Sequence, residues 1–166
     1  MSVTRYRRGL LPGSYDPVTV GHMDIIRRAC SLCDEVLVGV FINPTKKGYF
    51  TVGQRVAFLQ KACASLPTVR VVHSDGYVAD YAKENGCDII IKGFRDDRDL
   101  AYEKPQACYA LSHGGTPPLL LPAAPALAGI SSSEVRRRLR DGEPLLGWVP
   151  YAILTKIGVA NTPPRP

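Results

Sequence analysis

The chain has 166 residues, a formal net charge of +6 and a pI near 9.2, with 45% hydrophobic and 22% charged residues. That length and balance suit a soluble globular domain with its own core. Residues 1–8 are polar and basic, unlike a signal peptide, and the longest apolar stretch, 119–130, carries Pro122 and Pro125 and is too short to span a membrane. A cytoplasmic protein is therefore expected, as one domain over 1–160 with a disordered tail at 161–166. The basic charge suits an anionic partner, either nucleic acid or a phosphorylated small molecule.

The first element is a short strand at 8–11, followed by a turn of small and stiff residues, Pro12-Gly13-Ser14-Tyr15-Asp16-Pro17. Gly21 and His22 then open a helix whose Ile26, Ala29, Cys30 and Cys33 recur at helical spacing and predict one buried face. Its first N–H groups would point back at the turn, which makes a place for phosphate. Cys30 and Cys33 form a C-x-x-C at the far end of that helix, with no second pair to complete a zinc site. Five cysteines are an odd number, and free thiols are expected.

The run 35–42 is almost wholly apolar and rich in β-branched residues, the mark of a strand buried on both faces. A polar loop, 43–48, follows. Thr51 and Gln54 have capping-box spacing before Val52, Val56, Leu59 and Cys63. Strands are expected at 69–72 and 88–91, separated by a helix over 77–85 that Gly86 ends. Lys92-Gly93-Phe94-Arg95 makes a second small turn at a strand end. A charged helix over 97–111 should kink or stop near Lys104, because Pro105 lacks an N–H. A last strand at 119–121, a flexible loop over 123–129 and helices over 131–140 and 150–160 complete the chain. Arg136, Arg137, Arg138 and Arg140 lie on the first of these helices, either as a solvated face or with one arginine turned to an anion.

Strand and helix alternate about five times, so an α/β fold with a doubly wound, five-stranded parallel sheet is expected. In such sheets ligands bind beyond the C-terminal strand ends, where the winding reverses. Ser14, His22, Lys46, Lys92, Arg95 and Ser131 to Ser133 would gather there. They supply cations and hydrogen-bond donors, but no nucleophile–base pair and no metal cluster. That set suits phosphoryl or nucleotidyl transfer, which depends on positioning and charge stabilisation. Walker A and dinucleotide glycine motifs are both absent.

Thr19-Val20-Gly21-His22 and Ile130-Ser131-Ser132-Ser133 resemble the T-x-G-H and I-S-S-[ST] signatures of nucleotidylyltransferases. The opening P-G-S-Y-D-P, Asn43-Pro44-Thr45-Lys46-Lys47, Gln54-Arg55, Gly93-Phe94-Arg95 and Tyr102-Glu103 are similar, in order, to bacterial phosphopantetheine adenylyltransferases. The resemblance covers nearly the whole chain and implies a Rossmann-like nucleotidylyltransferase fold. It implies transfer of AMP from ATP to 4′-phosphopantetheine, giving dephospho-coenzyme A and pyrophosphate. His22, Lys46 and Arg95 would be catalytic. Ser14, Tyr15, His22, Gly93, Phe94, Arg95, Glu103, Ile130, Ser131, Ser132 and Ser133 would bind ATP. Ser14, Lys46, Val78 and Lys92 would bind the acceptor. Mg²⁺ would ride on the phosphates, and the protein would be a homohexamer bound to neither nucleic acid nor membrane. The chain departs from the family pattern at Lys92, where an arginine is usual, and at Pro105. The residues themselves leave open a related transferase with another phosphorylated acceptor, or a non-catalytic basic binding module.

Overall fold

A computed structural model describes residues 5–160. Five strands form one sheet in the order β3-β2-β1-β4-β5. They are β1 (Tyr6–Gly13), β2 (Cys33–Phe41), β3 (Val69–Ser74), β4 (Ile89–Phe94) and β5 (Pro118–Pro122). Every neighbouring pair is parallel. The chain winds outward from β1 to β3, returns to the other side of β1 as β4, and winds out again. The reversal lies between β1 and β4, as a doubly wound sheet requires.

Helices cover both faces: α1 (Val20–Leu32), α2 (Val52–Ala62), α3 (Val78–Glu84), α4 (Asp97–Ser112), α5 (Ser132–Asp141) and α6 (Leu154–Ala160). Register explains the two cores. Leu10 pairs with Leu37 on one side and Ile90 on the other, and these three share a face with Ala82 of α3 and Cys87. One residue on, Leu11, Val38 and Ile91 point the opposite way, into the larger core with Met23, Ile26, Leu59, Val135, Ile153 and Ile157. Strands sandwiched in this way read as continuous apolar runs rather than alternating ones.

Helix ends follow their predicted chemistry. Thr51 and Gln54 cap α2 reciprocally, the Thr51 hydroxyl accepting from the Gln54 N–H at 3.2 Å and the Gln54 Oε1 accepting from the Thr51 N–H at 2.9 Å. Gly86 follows α3 with φ of +59°, a left-handed conformation that glycine adopts at no steric cost.

Three expectations are refined. Of the two outcomes expected at Pro105, a kink or a stop near Lys104, the helix does not stop: α4 runs through Pro105 to Ser112. Pro105 offers no N–H to the carbonyl of Ala101, so the helix loses one backbone bond, on an exposed residue. Cys33 is not a helical residue but the C-cap of α1, its N–H donating to the Ala29 carbonyl, and it begins β2, extended at φ −124° and ψ 152°; its side chain is buried in one core with Ile26 and Ala29. Within the loop expected over 123–129, Pro125–Leu127 forms a 3₁₀ turn that starts at the fixed φ of proline. The tail expected to be disordered, 161–166, lies outside the described residues.

Leu10 is fully buried at the centre of the smaller core. Leu10→Ala is expected to lower unfolding free energy by about 2–5 kcal/mol in urea titrations with an unchanged slope. A loss well under 1 kcal/mol would show that this face is not packed.

Candidate active site

A cavity of about 630 Å³ opens at the C-terminal ends of β1 and β4, where the winding reverses. Its walls come from the loop after β1, the start of α1, the end of β4, one side of α4 and the start of α5. Most expected residues gather here: Ser14, Tyr15, His22, Val78, Lys92, Gly93, Phe94, Arg95, Glu103, Ile130, Ser131, Ser132 and Ser133 all line it. Gly93 lets β4 pass close over α1, since a Cβ there would lie 3.0 Å from Cγ1 of Ile25. Lys46 is not among the lining residues. It is exposed, on a loop folded on itself, where Asn43 Oδ1 accepts from the Thr45 N–H at 2.9 Å and the Thr45 hydroxyl at 2.6 Å. Tyr15 enters as a wall rather than a donor. Its hydroxyl is spent on the Leu11 carbonyl at 3.1 Å, and burial raises its pKa.

His22 is the third residue of α1. The Thr19 hydroxyl caps the helix by accepting from the His22 N–H at 3.2 Å, and the Thr19 N–H donates back to His22 Nδ1 at 3.0 Å. A backbone N–H only donates, so Nδ1 carries no proton and the neutral ring holds its proton on Nε2. Tyr15 packs edge-on against the imidazole, with centroids 4.9 Å apart. Burial, reinforced by the charge of Arg95, pushes the His22 pKa down to about 4. The cavity is therefore given a neutral Nε2–H donor at physiological pH.

The loop that carries Ser14 and leads to His22 is fixed by buried charge. Asp16 accepts from the N–H groups of Tyr49 and Phe50 at 2.7 and 2.8 Å, and faces Arg55 at 3.9 Å. Arg55 donates to the carbonyls of Phe50 at 3.0 Å and Ser14 at 3.1 Å. From the other side, Ser132 donates to the Pro17 carbonyl at 2.8 Å and Arg136 to the Asp16 carbonyl at 2.7 Å. The loop is thus held between α2 and α5. No role for Asp16, Arg55 or Arg136 emerges from the motifs alone. One signal for Arg55 is present in the sequence: it lies three residues after Val52 and four before Leu59, on the apolar stripe of α2. A charge on that stripe needs a buried partner.

Both cations at the end of β4 are neutralised by α4. Arg95 makes a two-pronged pair with Asp99, at 2.8 and 3.1 Å, and Lys92 meets Glu103 at 2.6 Å. Asp99 and Glu103 are four residues apart and so share one face of the helix. The hydrogen bond from Arg95 holds the Asp99 carboxyl below its ordinary pKa. Val78, Lys92 and Glu103 also line a second, apolar cavity of about 530 Å³ walled by Tyr77, Ile90, Pro105, Ala107, Tyr109 and Leu120. Among the described residues, no group of three or more His, Cys, Asp or Glu is gathered to hold a metal, and no helix is long and apolar enough to cross a membrane.

Replacing Arg55 with Met would leave the Asp16 carboxylate buried and short of a partner. Chemical denaturation should show a loss of about 3–5 kcal/mol, with part recovered in the double variant Asp16→Asn, Arg55→Met. A single-variant loss below 1 kcal/mol would mean the pair does not hold the loop.

A sequence profile of the cytidylyltransferase-like family matches residues 10–138. A phosphopantetheine adenylyltransferase of Cutibacterium acnes is 39% identical over 150 residues, covering 90% of this chain and 96% of that protein. One of Symbiobacterium thermophilum is 40% identical over 144 residues, covering 86% and 89%. The crystal structure of a lipopolysaccharide core biosynthesis protein from Thermoplasma volcanium aligns with a TM-score of 0.54 at 21% identity, over 72% of this chain and 97% of that one, a likeness of fold alone. With most of its length matched on both counts, the chain belongs to the cytidylyltransferase-like family and, within it, to the phosphopantetheine adenylyltransferases.

Proposed function

We propose that the protein transfers AMP from ATP to 4′-phosphopantetheine, releasing pyrophosphate and forming dephospho-coenzyme A. The observation that carries this reading is the fixed neutral His22, in the first turn of α1 and lining one cavity with Arg95 and the first turn of α5. An oxygen of the acceptor phosphate attacks the α-phosphorus of ATP. The bond to the bridging oxygen breaks, and the electron pair leaves with pyrophosphate. No covalent enzyme intermediate is needed. His22 Nε2–H donates to an α-phosphate oxygen as charge gathers on it, and Arg95 sets a positive charge beside the phosphates. The N-terminus of α5, capped by the Ser131 hydroxyl bonded to the Glu134 N–H at 3.1 Å, offers its remaining first-turn N–H groups to phosphate.

The apolar cavity beyond Val78 and Lys92 suits the acceptor's long neutral arm, and Lys92 at the junction suits its phosphate. Lys46 reaches that phosphate only by inward folding of the loop that carries it, so its catalytic part rests on closure upon binding. The carboxylates of Asp16, Asp99 and Glu103 are each engaged by amides or cations. Mg²⁺ would therefore be held by nucleotide oxygens, where it neutralises phosphate charge. The homohexamer and the cytoplasmic location expected from the sequence remain part of the proposal. Mass photometry of the purified chain tests the former.

A second reading keeps the fold and changes the acceptor. It is favoured by Lys92, where the chain departs from the resemblance noted in its sequence and which is tied to Glu103. A panel of phosphorylated acceptors and nucleoside triphosphates separates the two. With ATP and 4′-phosphopantetheine, pyrophosphate release is expected, and His22→Ala should lower kcat about 10²–10³-fold with a much smaller change in ATP affinity. Folded protein that binds ATP yet releases no pyrophosphate with this acceptor would overturn the proposal.

A further inference from the structure

Helices α1 and α5, whose first turns line the cavity, are joined through a residue outside that lining, Trp148. It follows α5 in a tight turn, where its own N–H and that of Val149 both reach the Leu145 carbonyl, at 3.0 and 3.3 Å. Gly147 permits the turn with φ of +82°. The Trp148 carbonyl then accepts from the Val20 N–H at 3.0 Å. Val20 is the first residue of α1, so its N–H has no acceptor within the helix. Two residues on, the Thr19 hydroxyl takes the His22 N–H. The helix start that carries His22 is therefore closed twice, by its own cap and by a backbone carbonyl from near the far end of the chain.

A carbonyl in a turn keeps its direction only where the turn is anchored. Val149 anchors one side, buried in the larger core. On the other, the Arg138 guanidinium lies 3.9 Å from the centroid of the Trp148 ring, a cation–π stack. Arg138 is itself held by Glu134 at 3.2 Å and Glu143 at 3.1 Å, and donates to the Pro144 carbonyl at 3.4 Å. One guanidinium on α5 thus grips the segment that follows it at Glu143, Pro144 and Trp148. Arg137 shares the two carboxylates and adds Asp141, but the stack on the ring belongs to Arg138. The run of arginines read in the sequence as a solvated face therefore has one member turned to an aromatic ring.

We propose that Arg138 and Trp148 are positioning residues for the transfer: their stack sets the Trp148 carbonyl on Val20, which holds the first turn of α1 and with it the Thr19–His22 pair. The inference rests on reading His22 as the donor to the transferred phosphate. Neither residue touches substrate. They act on geometry, because the Thr19 N–H must stay 3.0 Å from His22 Nδ1 for the ring to keep its proton on Nε2. When the first turn frays, that N–H leaves Nδ1, and the ring is free to change tautomer and to turn from the reacting phosphate. The same brace ties α1 to α5, so the two first turns keep their spacing across the cavity.

Amide exchange followed by NMR tests the brace without turnover, in wild type, Arg138→Gln, Trp148→Ala and Trp148→Phe. The Val20 amide should be protected in wild type and exchange about 10-fold or more faster in Arg138→Gln and Trp148→Ala. Leu37 and Val38, paired on both sides within the sheet, should keep their protection. In the same two variants nitrogen-15 spectra should show His22 Nδ1 partly protonated, and kcat should fall about 10-fold with ATP affinity changed by about twofold or less. Trp148→Phe keeps a flat face for the guanidinium and should restore most of each. Arg138→Gln serves alone should Trp148→Ala fail to fold. An unprotected Val20 in wild type, unchanged protection in the variants, or Val20 released with His22 and kcat unmoved each overturns the proposal. So does protection lost alike at Val20, Leu37 and Val38, which would make the stack a matter of global stability. Wild-type protein that binds ATP but does not turn over would overturn the reaction, while Val20 exchange and the His22 tautomer still decide the brace.

Discussion

The site depends on one buried ion pair. Asp16 and Arg55 are only 6% exposed each, and at 3.9 Å their attraction alone does not offset the several kcal/mol of desolvation each charge incurs. The hydrogen bonds around them make the arrangement stable. Two backbone N–H groups satisfy the carboxylate, and two backbone carbonyls satisfy the guanidinium. The four backbone groups belong to two separate segments: Ser14 on the cavity-lining loop after β1, and Tyr49 and Phe50 before α2. The charges are kept in the core because they sew those segments together, which apolar residues of the same volume could not do. Thr19 and His22 then inherit their geometry from a loop that has no freedom left.

The remaining electrostatics concern what the cavity does before a ligand enters. A site built for several phosphate charges would repel its own cations if they stood bare and close together. Helix α4 relieves this by presenting Asp99 and Glu103 to Arg95 and Lys92. That helix buries none of its residues, and its main contacts with the sheet are to β4 and β5. Ion pairs are thus a large part of what seats it, and phosphate must compete with Asp99 and Glu103 for the same donors.

Much of this was legible in the residues. Apolar, β-branched runs such as Val36 to Val40 and Ile89 to Ile91 mark strands buried on two faces, and with alternating helices they lead to the doubly wound sheet. Small residues and donors after each strand identify Ser14, His22, Arg95 and Ser131 to Ser133 as neighbours, because topology alone brings strand ends together. Long-range pairing is harder to read. Nothing local says that Asp16 will meet Arg55, or that Lys92 will be taken by Glu103, since each pair is made by the packing of different elements. At Pro105 the residues leave a kink or a stop open: the local penalty is real, but an exposed helix absorbs one missing hydrogen bond and runs on. Lys46 sits in a motif, yet it is exposed and outside the lining of the cavity, and a motif carries no information about which way a loop folds.

The central claim is that the loop, through Thr19, fixes His22 as a neutral donor with its proton on Nε2. Nitrogen-15 NMR of the imidazoles tests this directly, with His22 assigned among His22, His73 and His113 by substitution. The account predicts a protonated Nε2 and an unprotonated Nδ1 at neutral pH, with no charging of the ring until the pH falls to about 4. A proton on Nδ1, or titration near the ordinary histidine value of about 6.5, would contradict it.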